Sequence, residues 1–130
     1  MKMALWTMFV AIALGLPQGA WAESMCGPNQ RFGKIGNTLT ADGVITSSAA
    51  QVRAFAVTST TSAGIFGIYD TTAVGLTSAT TLVVEPTAAA NGTTMLPPLG
   101  FFDPPLEFAN GITVIGSNMQ AATAFGCIDR

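Results

Sequence analysis

Beyond residue 22, the apolar residues of the chain fall into short runs that are separated by turn signals. Residues 51–70, QVRAFAVTSTTSAGIFGIYD, hold two such runs, 52–57 and 65–69, joined by a small polar segment. β-Branched and aromatic residues dominate both runs, whereas Ser, Thr and Gly separate them, which is the pattern of two strands joined by a turn. We therefore expect a β-hairpin here, at the centre of an all-β domain.

The remainder of the chain repeats this alternation of short runs and turns. Turn signals such as Asp42-Gly43, Asn91-Gly92 and Asn110-Gly111 recur at roughly 8–12-residue intervals, the spacing typical of β-sandwiches. About eight short antiparallel strands are predicted, with a further brief pairing at residues 106–108. The strands span residues 30–39, 44–46, 52–57, 65–69, 80–84, 93–102, 112–115 and 122–127. The pattern predicts a single β-sandwich of jelly-roll or immunoglobulin-like type.

The N-terminal segment follows a different pattern. Lys2 precedes an apolar stretch, residues 3–16, and Ala20-Trp21-Ala22 forms the small-x-small motif of a cleavage site. This order of parts predicts a secretory signal peptide, residues 1–22, and an exported β-domain, residues 23–130. The apolar stretch is short for a bilayer of about 30 Å, so we expect no membrane span in the mature chain.

Two cysteines lie near the ends of the predicted mature chain, Cys26 and Cys127. An even number of cysteines in an exported chain predicts a disulfide bond and a periplasmic or extracellular location. A bond within one chain closes a loop of about 100 residues and stabilises the fold by roughly 4–5 kcal/mol in the chain-entropy description. Pairing between two subunits is the alternative.

Composition excludes several classes of function. Charged residues make up 9% of the chain, the formal net charge is −2, and histidine is absent. Without a basic patch to neutralise phosphates, no nucleic-acid partner is expected. The absence of histidine excludes Ser-His-Asp and Cys-His catalysis, and oxidised cysteines leave no thiol nucleophile. We predict no catalytic residue, no cofactor and no metal site.

Carboxylates are the remaining candidates for chemistry. Asp103 and Glu107 form the nearest acidic pair for a two-carboxylate hydrolase, but they flank a diproline turn, where solvated acids are ordinary. Tyr69-Asp70-Thr71-Thr72 lacks the glycine of the aspartic-protease Asp-Thr-Gly signature. Asp70 is therefore predicted to end a strand and to cap the following turn. A calcium site assembled from distant acids is an alternative that no sequence motif supports.

Two further predictions rest on isolated side chains. Arg53 is the one charged residue within the strands of the predicted hairpin, so we expect it to form a buried or interfacial ion pair with Asp70 or Glu85. Three phenylalanines lie among prolines: Phe101, Phe102 and Phe108. They predict an apolar contact patch, and core positions at one end of the sandwich are the alternative.

Two segments together resemble a known group of proteins. They are VRAFAVTSTTSAGIFGIYDTTAVGLTSATTLV and PLGFFDPPLEFANGITVIGS. Both are similar to elements of small all-β proteins encoded in phage and environmental bacterial genomes, and the second carries that group's Phe-x-x-Gly-Ile strand at Phe108, Gly111 and Ile112, with Asn110 before the glycine. The resemblance covers roughly residues 51–115. It implies the fold and a virion accessory or decoration role, and it implies no catalytic residues.

We therefore predict an exported, non-enzymatic structural or binding protein. Its expected partners are proteins, through self-assembly or attachment to a particle or cell surface. A small-ligand or carbohydrate-binding module is the alternative. Trp6 and Trp21 both lie in the predicted signal peptide, so Tyr69 and the phenylalanines are the aromatic residues left for stacking on a sugar. A two-carboxylate hydrolase is the third hypothesis.

Overall fold

The computed structural model describes residues 26–129, and the predicted signal peptide lies outside them. Residues 26–129 are all-β: they form eleven strands and a 3₁₀ helix, Val74–Leu76, and contain no α-helix. The strands are β1 (Gln30–Leu39), β2 (Gly43–Thr46), β3 (Ala50–Val52), β4 (Ala54–Ser59), β5 (Gly64–Tyr69), β6 (Leu82–Val84), β7 (Thr87–Ala88), β8 (Thr93–Leu96), β9 (Leu106–Phe108), β10 (Ile112–Gly116) and β11 (Met119–Asp129).

These strands form two larger sheets and a ribbon. The first sheet has the strand order β1-β11-β4-β8, and the second has the order β2-β10-β5-β6, with β7 also paired to β5. The ribbon consists of β3 and β9. Each of the three contains antiparallel strand pairs, such as β4–β11, β5–β10 and β3–β9, so the prediction of an all-β fold with antiparallel sheets is confirmed for residues 26–129.

The strands differ from the predicted segments in number and length. The predicted strand 52–57 is interrupted at Arg53, which separates β3 from β4. The predicted strand 93–102 ends at Leu96, because Pro97 and Pro98 follow and proline cannot donate to a ladder. The split at Arg53, the two-residue β7, and β9 at the position of the expected brief pairing account for eleven strands within residues 26–129, where about eight were expected.

The predicted central hairpin is wrong. β4 pairs with β11 and β8 in the first sheet, whereas β5 pairs with β10, β6 and β7 in the second. The connection between β4 and β5 therefore crosses from one sheet to the other. Alternating apolar and polar residues predict a strand with one buried face, but they do not specify which strand lies beside it.

A second connection, between β10 and β11, crosses between the sheets beside the first, and hydrogen bonds join the two. The Thr60 N–H donates to the Asn118 carbonyl (2.9 Å), and the Ser117 N–H donates to the Ile65 carbonyl (3.0 Å). The Asn118 side chain donates to the Ala63 carbonyl at 2.9 Å. Asn118 has a φ of 55°, a left-handed conformation that asparagine adopts more readily than most residues. We call these two connections the paired crossover.

The buried core receives side chains from both sheets and from the ribbon. Phe55 of β4 lies between Ala124 of β11 and Leu96 of β8, so that a large side chain is flanked by a smaller one on one side. Phe108 of β9 packs edge-to-face on Phe55, with ring centroids 5.9 Å apart and an interplanar angle of 76°. Phe66 of β5 is also fully buried. The ribbon thus contributes a large aromatic side chain to the core.

The chain divides into two compact units. The larger is Gly33–Gly126, and the smaller includes the described residues 26–32 and 127–129. Within the smaller unit, Cys26 and Cys127 form a disulfide bond with a Cα–Cα distance of 5.4 Å and a sequence separation of 101. The predicted bond within one chain is therefore confirmed, and no free cysteine lies in residues 26–129.

Reduction of this disulfide should weaken the fold substantially. The open chain gains conformational entropy when a loop of this length is released, so we expect the free energy of unfolding to fall by about 2–5 kcal/mol. Chemical denaturation of the oxidised protein with and without reductant measures the change. The double variant Cys26→Ser/Cys127→Ser should match the reduced protein and be insensitive to reductant. Equal stability of the oxidised and reduced proteins would contradict the expectation.

Candidate binding surfaces

Arg53 binds the segment around Phe102, which the sequence pattern had assigned to the predicted strand 93–102. Its backbone N–H donates to the Phe125 carbonyl and its own carbonyl accepts from the Phe102 N–H, both at 2.8 Å. The guanidinium Nη1 donates to the Phe102 carbonyl at 2.9 Å and to the Asp103 Oδ1 at 3.3 Å. Phe102 is therefore hydrogen-bonded to Arg53 through both of its backbone polar groups.

The partner of Arg53 differs from the predicted ones. Arg53 is half-buried and forms its ion pair with Asp103, which is exposed. Asp70 accepts backbone hydrogen bonds elsewhere, and Glu85 is exposed. Because an ion pair with a solvated partner contributes only about 0–1 kcal/mol, the hydrogen bonds to Phe102 are the larger part of this anchor. The sequence did not indicate the pair, since its members lie in segments that meet only in the folded chain.

Residues 97–105, which we call the contact loop, carry the most exposed large apolar side chain among the described residues. Leu99 is 90% exposed. Prolines stand at both ends of the loop, as Pro97-Pro98 and Pro104-Pro105, and each restricts its own φ. Arg53 binds the loop at Phe102 and the prolines restrict its ends, whereas Leu99 is followed by Gly100, which has a φ of 78°.

The structure separates the three phenylalanines of the predicted contact patch. Phe101 and Phe102 belong to the contact loop and are half-buried. Phe108 is 1% exposed and lies in the core against Phe55, so the prediction that it contributes to a surface patch is wrong. Sequence reasoning missed Leu99, although its position between two proline pairs was the available signal.

A second apolar surface lies on the outward face of the second sheet. We call it the platform, and it consists of four side chains: Ile65, Tyr69, Leu82 and Ile115. Tyr69 lies opposite Leu82 on β6, and Ile115 lies opposite Gly67 on β5. The Tyr69 ring folds back over Gly67: a Cβ there would lie 2.7 Å from both Cε1 and Oη of the ring. Only glycine at position 67 leaves room for this ring position.

The platform is uncharged and partly exposed, and Thr113, which lies opposite Tyr69 on β10, is fully buried. Ile65 is 55% exposed, Leu82 is also exposed, and Tyr69 and Ile115 are half-buried. The strands that form it, GIFGIY, LVV, TA and ITVIG, contain no charged residue. The face was not recognised in the sequence, because the register that places β5, β6 and β10 side by side is set by tertiary structure.

Two carboxylates hold the two ends of β10. The Asp42 carboxylate accepts the Gly116 N–H at 2.9 Å, at the C-terminal end of the strand. The Asp70 carboxylate accepts the N–H groups of Ala109, Asn110 and Gly111 at 3.1, 2.8 and 3.4 Å, just before the strand begins. Asp70 therefore caps a turn about forty positions away, not the turn that follows it as predicted.

The acidic pair considered for hydrolysis is also engaged with other side chains. Asp103 contacts Arg53, and Glu107 accepts a hydrogen bond from the Gln51 Nε2 at 2.9 Å. In residues 26–129, no group of three His, Cys, Asp or Glu side chains is placed to hold a metal ion. Asp42, Asp70, Asp103 and Glu107 thus act as hydrogen-bond acceptors or ion-pair partners within the fold.

Hydrogen bonding controls the ionisation of Asp70. Partial burial of the Asp70 carboxyl raises its pKa. Hydrogen bonds from the backbone of Asn110, Ala109 and Gly111 and from the Asn110 side chain lower the pKa by more than burial raises it. The net pKa therefore lies below the ordinary 3.8. Hydrogen bonds to the ionised form favour that form. The folded state therefore binds this proton less tightly than the unfolded state does.

Asp70→Asn should destabilise the protein in a pH-dependent way. The ionised carboxylate contributes its stability above the unfolded-state pKa of about 3.9 and loses it as the pH falls through the lower folded-state pKa. At neutral pH we expect a loss of about 1–2 kcal/mol, modest because the carboxylate is partly solvated. The difference from wild type should shrink below about pH 4.

Denaturation midpoints measured from pH 7 to pH 2.5 test this expectation. Glu85→Gln is the matched control, because it also replaces an acid by its amide, at an exposed position, and should change stability little at any pH. A loss in Asp70→Asn that is constant across the pH range would contradict the assignment.

Comparisons with protein-family models, with curated proteins and with solved structures found no significant match to this chain. In the described part of the chain, no helix is long and apolar enough to cross a membrane.

Proposed function

We propose that this protein is an exported, non-enzymatic β-sandwich that acts by binding to another protein surface, as a surface-assembly or virion decoration-like component. The observation that carries the proposal is Leu99, which is 90% exposed on the contact loop. Burial of this leucine in an apolar pocket would remove nearly its whole side chain from water and contribute roughly 1.5–3 kcal/mol, and the prolines at both ends of the loop limit the backbone entropy that is lost on binding. The partner that fits such an anchor is a protein with an apolar pocket that the Leu99 side chain can enter.

Three further observations support this function. The disulfide between Cys26 and Cys127 fits an oxidising compartment, as the predicted signal peptide requires. Carboxylates that an acid–base mechanism would need are bound to backbone amides, to Arg53 and to Gln51. The two larger sheets each have one face with buried side chains, which is the arrangement of a sandwich.

The resemblance to small phage-encoded and environmental all-β proteins agrees with attachment to a particle. It rests on residues that the structure uses for the fold: Phe108 in the core and Gly111 in the turn that Asp70 caps. Attachment to a cell surface would use the same apolar contact as attachment to a particle, and it would also account for the predicted export signal. The particle and the cell envelope are therefore the two surfaces to test.

Leu99→Asp should abolish binding to the surface that the contact loop recognises. The oxidised protein, residues 23–130, is incubated with cell-envelope fractions of the producing organism and with phage particles released from it, and bound protein is measured after sedimentation. We expect the wild type to bind and Leu99→Asp to bind at least ~10-fold more weakly, because a charge cannot enter an apolar pocket.

Met95→Asp is the matched control for this experiment. Met95 is 48% exposed on β8 of the first sheet and lies outside the contact loop. The Met95→Asp variant should bind like the wild type. Equal binding of Leu99→Asp and wild type, or no binding of the wild type to either surface, would overturn the proposal.

Carbohydrate binding is the second candidate, and the position of Tyr69 favours it. The ring lies across Gly67 and is half-buried, so it offers a flat aromatic surface of the kind that stacks on sugars. The absence of tryptophan from residues 23–130 and of charged residues from the strands of the platform counts against tight sugar binding. A glycan array decides between the two: binding that Tyr69→Ala removes and Leu99→Asp retains would establish this second function instead.

A further inference from the structure

We propose that the Asn91-Gly92 turn is a site of spontaneous deamidation, and that Asp70 protects the second Asn-Gly pair, Asn110-Gly111, from the same reaction. Both asparagines are exposed, and both follow an alanine, so the sequence Ala-Asn-Gly is identical at the two places. Glycine after asparagine favours the reaction, because it has no side chain to hinder the approach of its nitrogen. A difference between the two rates therefore reports on the fold. The proposal does not depend on the contact loop.

Deamidation needs only water and proceeds through a five-membered ring. The backbone nitrogen of the glycine loses its proton to hydroxide and attacks the Cγ of the preceding asparagine, an intramolecular step between adjacent residues. The bond from Cγ to the side-chain nitrogen breaks, and this nitrogen takes a proton from water and leaves as ammonia. Water then cleaves one C–N bond of the resulting succinimide, which yields aspartate or isoaspartate without oxidation or reduction. The reaction thus requires a releasable glycine N–H and a side chain that can turn toward it.

At Asn110-Gly111, the Asp70 carboxylate binds both reacting groups. Its Oδ1 accepts the Gly111 N–H at 3.4 Å and the Asn110 N–H at 2.8 Å, and the Asn110 side chain donates to the same carboxylate. A carboxylate beside an N–H group opposes loss of the proton, because the nitrogen anion would lie next to a like charge. The side-chain amide is meanwhile held at Asp70 and away from the Gly111 nitrogen. Asp70 therefore opposes both requirements of ring closure.

Packing around Gly111 adds to this protection. The residue is buried, and a Cβ placed on it would lie 2.6 Å from the Thr46 carbonyl oxygen and 2.9 Å from the Thr71 carbonyl oxygen. Gly111 also directly precedes β10, whose Ile112 pairs with Thr46 of β2. Movement of the Gly111 nitrogen toward the asparagine side chain would therefore displace the start of an internal strand of the second sheet.

The Asn91-Gly92 turn lacks these constraints. Asn91 is exposed between β7 and β8, and within residues 26–129 no carboxylate accepts a hydrogen bond from this turn. The Gly92 N–H donates at 2.8 Å to the Ala89 carbonyl, a neutral acceptor in the same turn. The atoms nearest to a Cβ placed on Gly92 also all belong to Ala89. Opening one local hydrogen bond therefore frees the Gly92 nitrogen without moving a neighbouring strand.

The other backbone hydrogen bonds of this turn do not involve the reacting groups. The Asn91 N–H donates to the Thr60 carbonyl at 2.6 Å, and the Gly92 carbonyl accepts the Ser59 N–H at 3.0 Å. Neither bond engages the Asn91 side chain or the Gly92 nitrogen. The fold thus permits ring closure at Asn91 and opposes it at Asn110.

The product would lie at a connection between the sheets. The turn joins β7, which pairs with β5 of the second sheet, to β8, which pairs with β4 of the first. Aspartate or isoaspartate at Asn91 adds a negative charge at neutral pH, and isoaspartate also adds a carbon to the main chain. The modified and unmodified proteins therefore differ in charge at a defined, exposed position.

Incubation of the folded, oxidised protein, residues 23–130, at mildly alkaline pH measures the two rates. Samples are digested with pepsin in acid, which halts the reaction, and conversion of amide to acid at each asparagine is quantified by mass spectrometry. We expect Asn91 to react at least ~10-fold faster than Asn110, since one hydrogen bond to a charged group is sufficient for a rate difference of this size. In guanidinium chloride, where the fold is lost, the two rates should become similar.

Asp70→Ala tests the carboxylate directly. It should raise the Asn110 rate at least ~10-fold and leave the Asn91 rate unchanged. Asp42→Ala is the matched control, because it removes the carboxylate that accepts an N–H at the other end of β10. The control should deaminate neither asparagine faster than the wild type does. Asp70→Asn, which keeps an acceptor oxygen without the charge, is the second variant and should accelerate Asn110 by a smaller factor. Far-UV circular dichroism and the unfolding midpoint verify that the variants fold.

The inference is overturned if Asn110 reacts as fast as Asn91 in the folded wild type, or if the two rates still differ ~10-fold in denaturant. It is equally overturned if Asp70→Ala leaves the Asn110 rate unchanged, or if Asp42→Ala raises it as much as Asp70→Ala does. The last outcome would assign the protection to the stability of β10 instead of to the carboxylate. None of these results bears on surface binding, which Leu99→Asp tests separately.

Discussion

The chain passes between its two larger sheets at two neighbouring places, and the hydrogen bonds of this paired crossover determine which strands become neighbours. Because the β4–β5 and β10–β11 connections run side by side, β4 lies next to β11 in the first sheet and β5 lies next to β10 in the second. The Asn118 side chain and the Ser117 backbone join the two connections directly. A hairpin between β4 and β5 would instead have placed both strands in one sheet.

Acidic residues serve the same architecture. Asp42 and Asp70 hold the two ends of β10, the strand that lies between β2 and β5 in the second sheet. A carboxylate can accept several backbone N–H groups at a turn, and this satisfies donors that strand pairing leaves free. With few charged residues in the chain, engaging these acids in turns leaves the strands of the platform uncharged. The small number of charged residues and the binding of these acids in turns thus contribute both to the fold and to the apolar character of the platform.

The two candidate surfaces differ in how they are supported. The contact loop depends on Arg53, which interrupts the strand pairing of its own segment to bind Phe102 and Asp103. The platform depends on Gly67, whose missing side chain lets the Tyr69 ring lie along the sheet. In both, one residue supports an apolar side chain at the surface: Arg53 binds the loop that carries Leu99, and Gly67 leaves room for the Tyr69 ring. One surface projects a single side chain, whereas the other presents a flat face, and these shapes suit different partners.

The sequence by itself determined the all-β class, and it indicated the first strand, Gln30–Leu39, and a disulfide bond, because composition, a weak alternation and an even number of cysteines bear on each. The structure decided that the Cys26–Cys127 bond lies within one chain. Only the tertiary structure decided that β4 and β5 lie in different sheets, that Arg53 pairs with Asp103, and that Phe108 is buried while Leu99 is exposed. Each of these depends on contacts between residues far apart in the chain. Alternation specifies that a strand buries one face, but the partner that covers that face is selected by the packing of the whole domain.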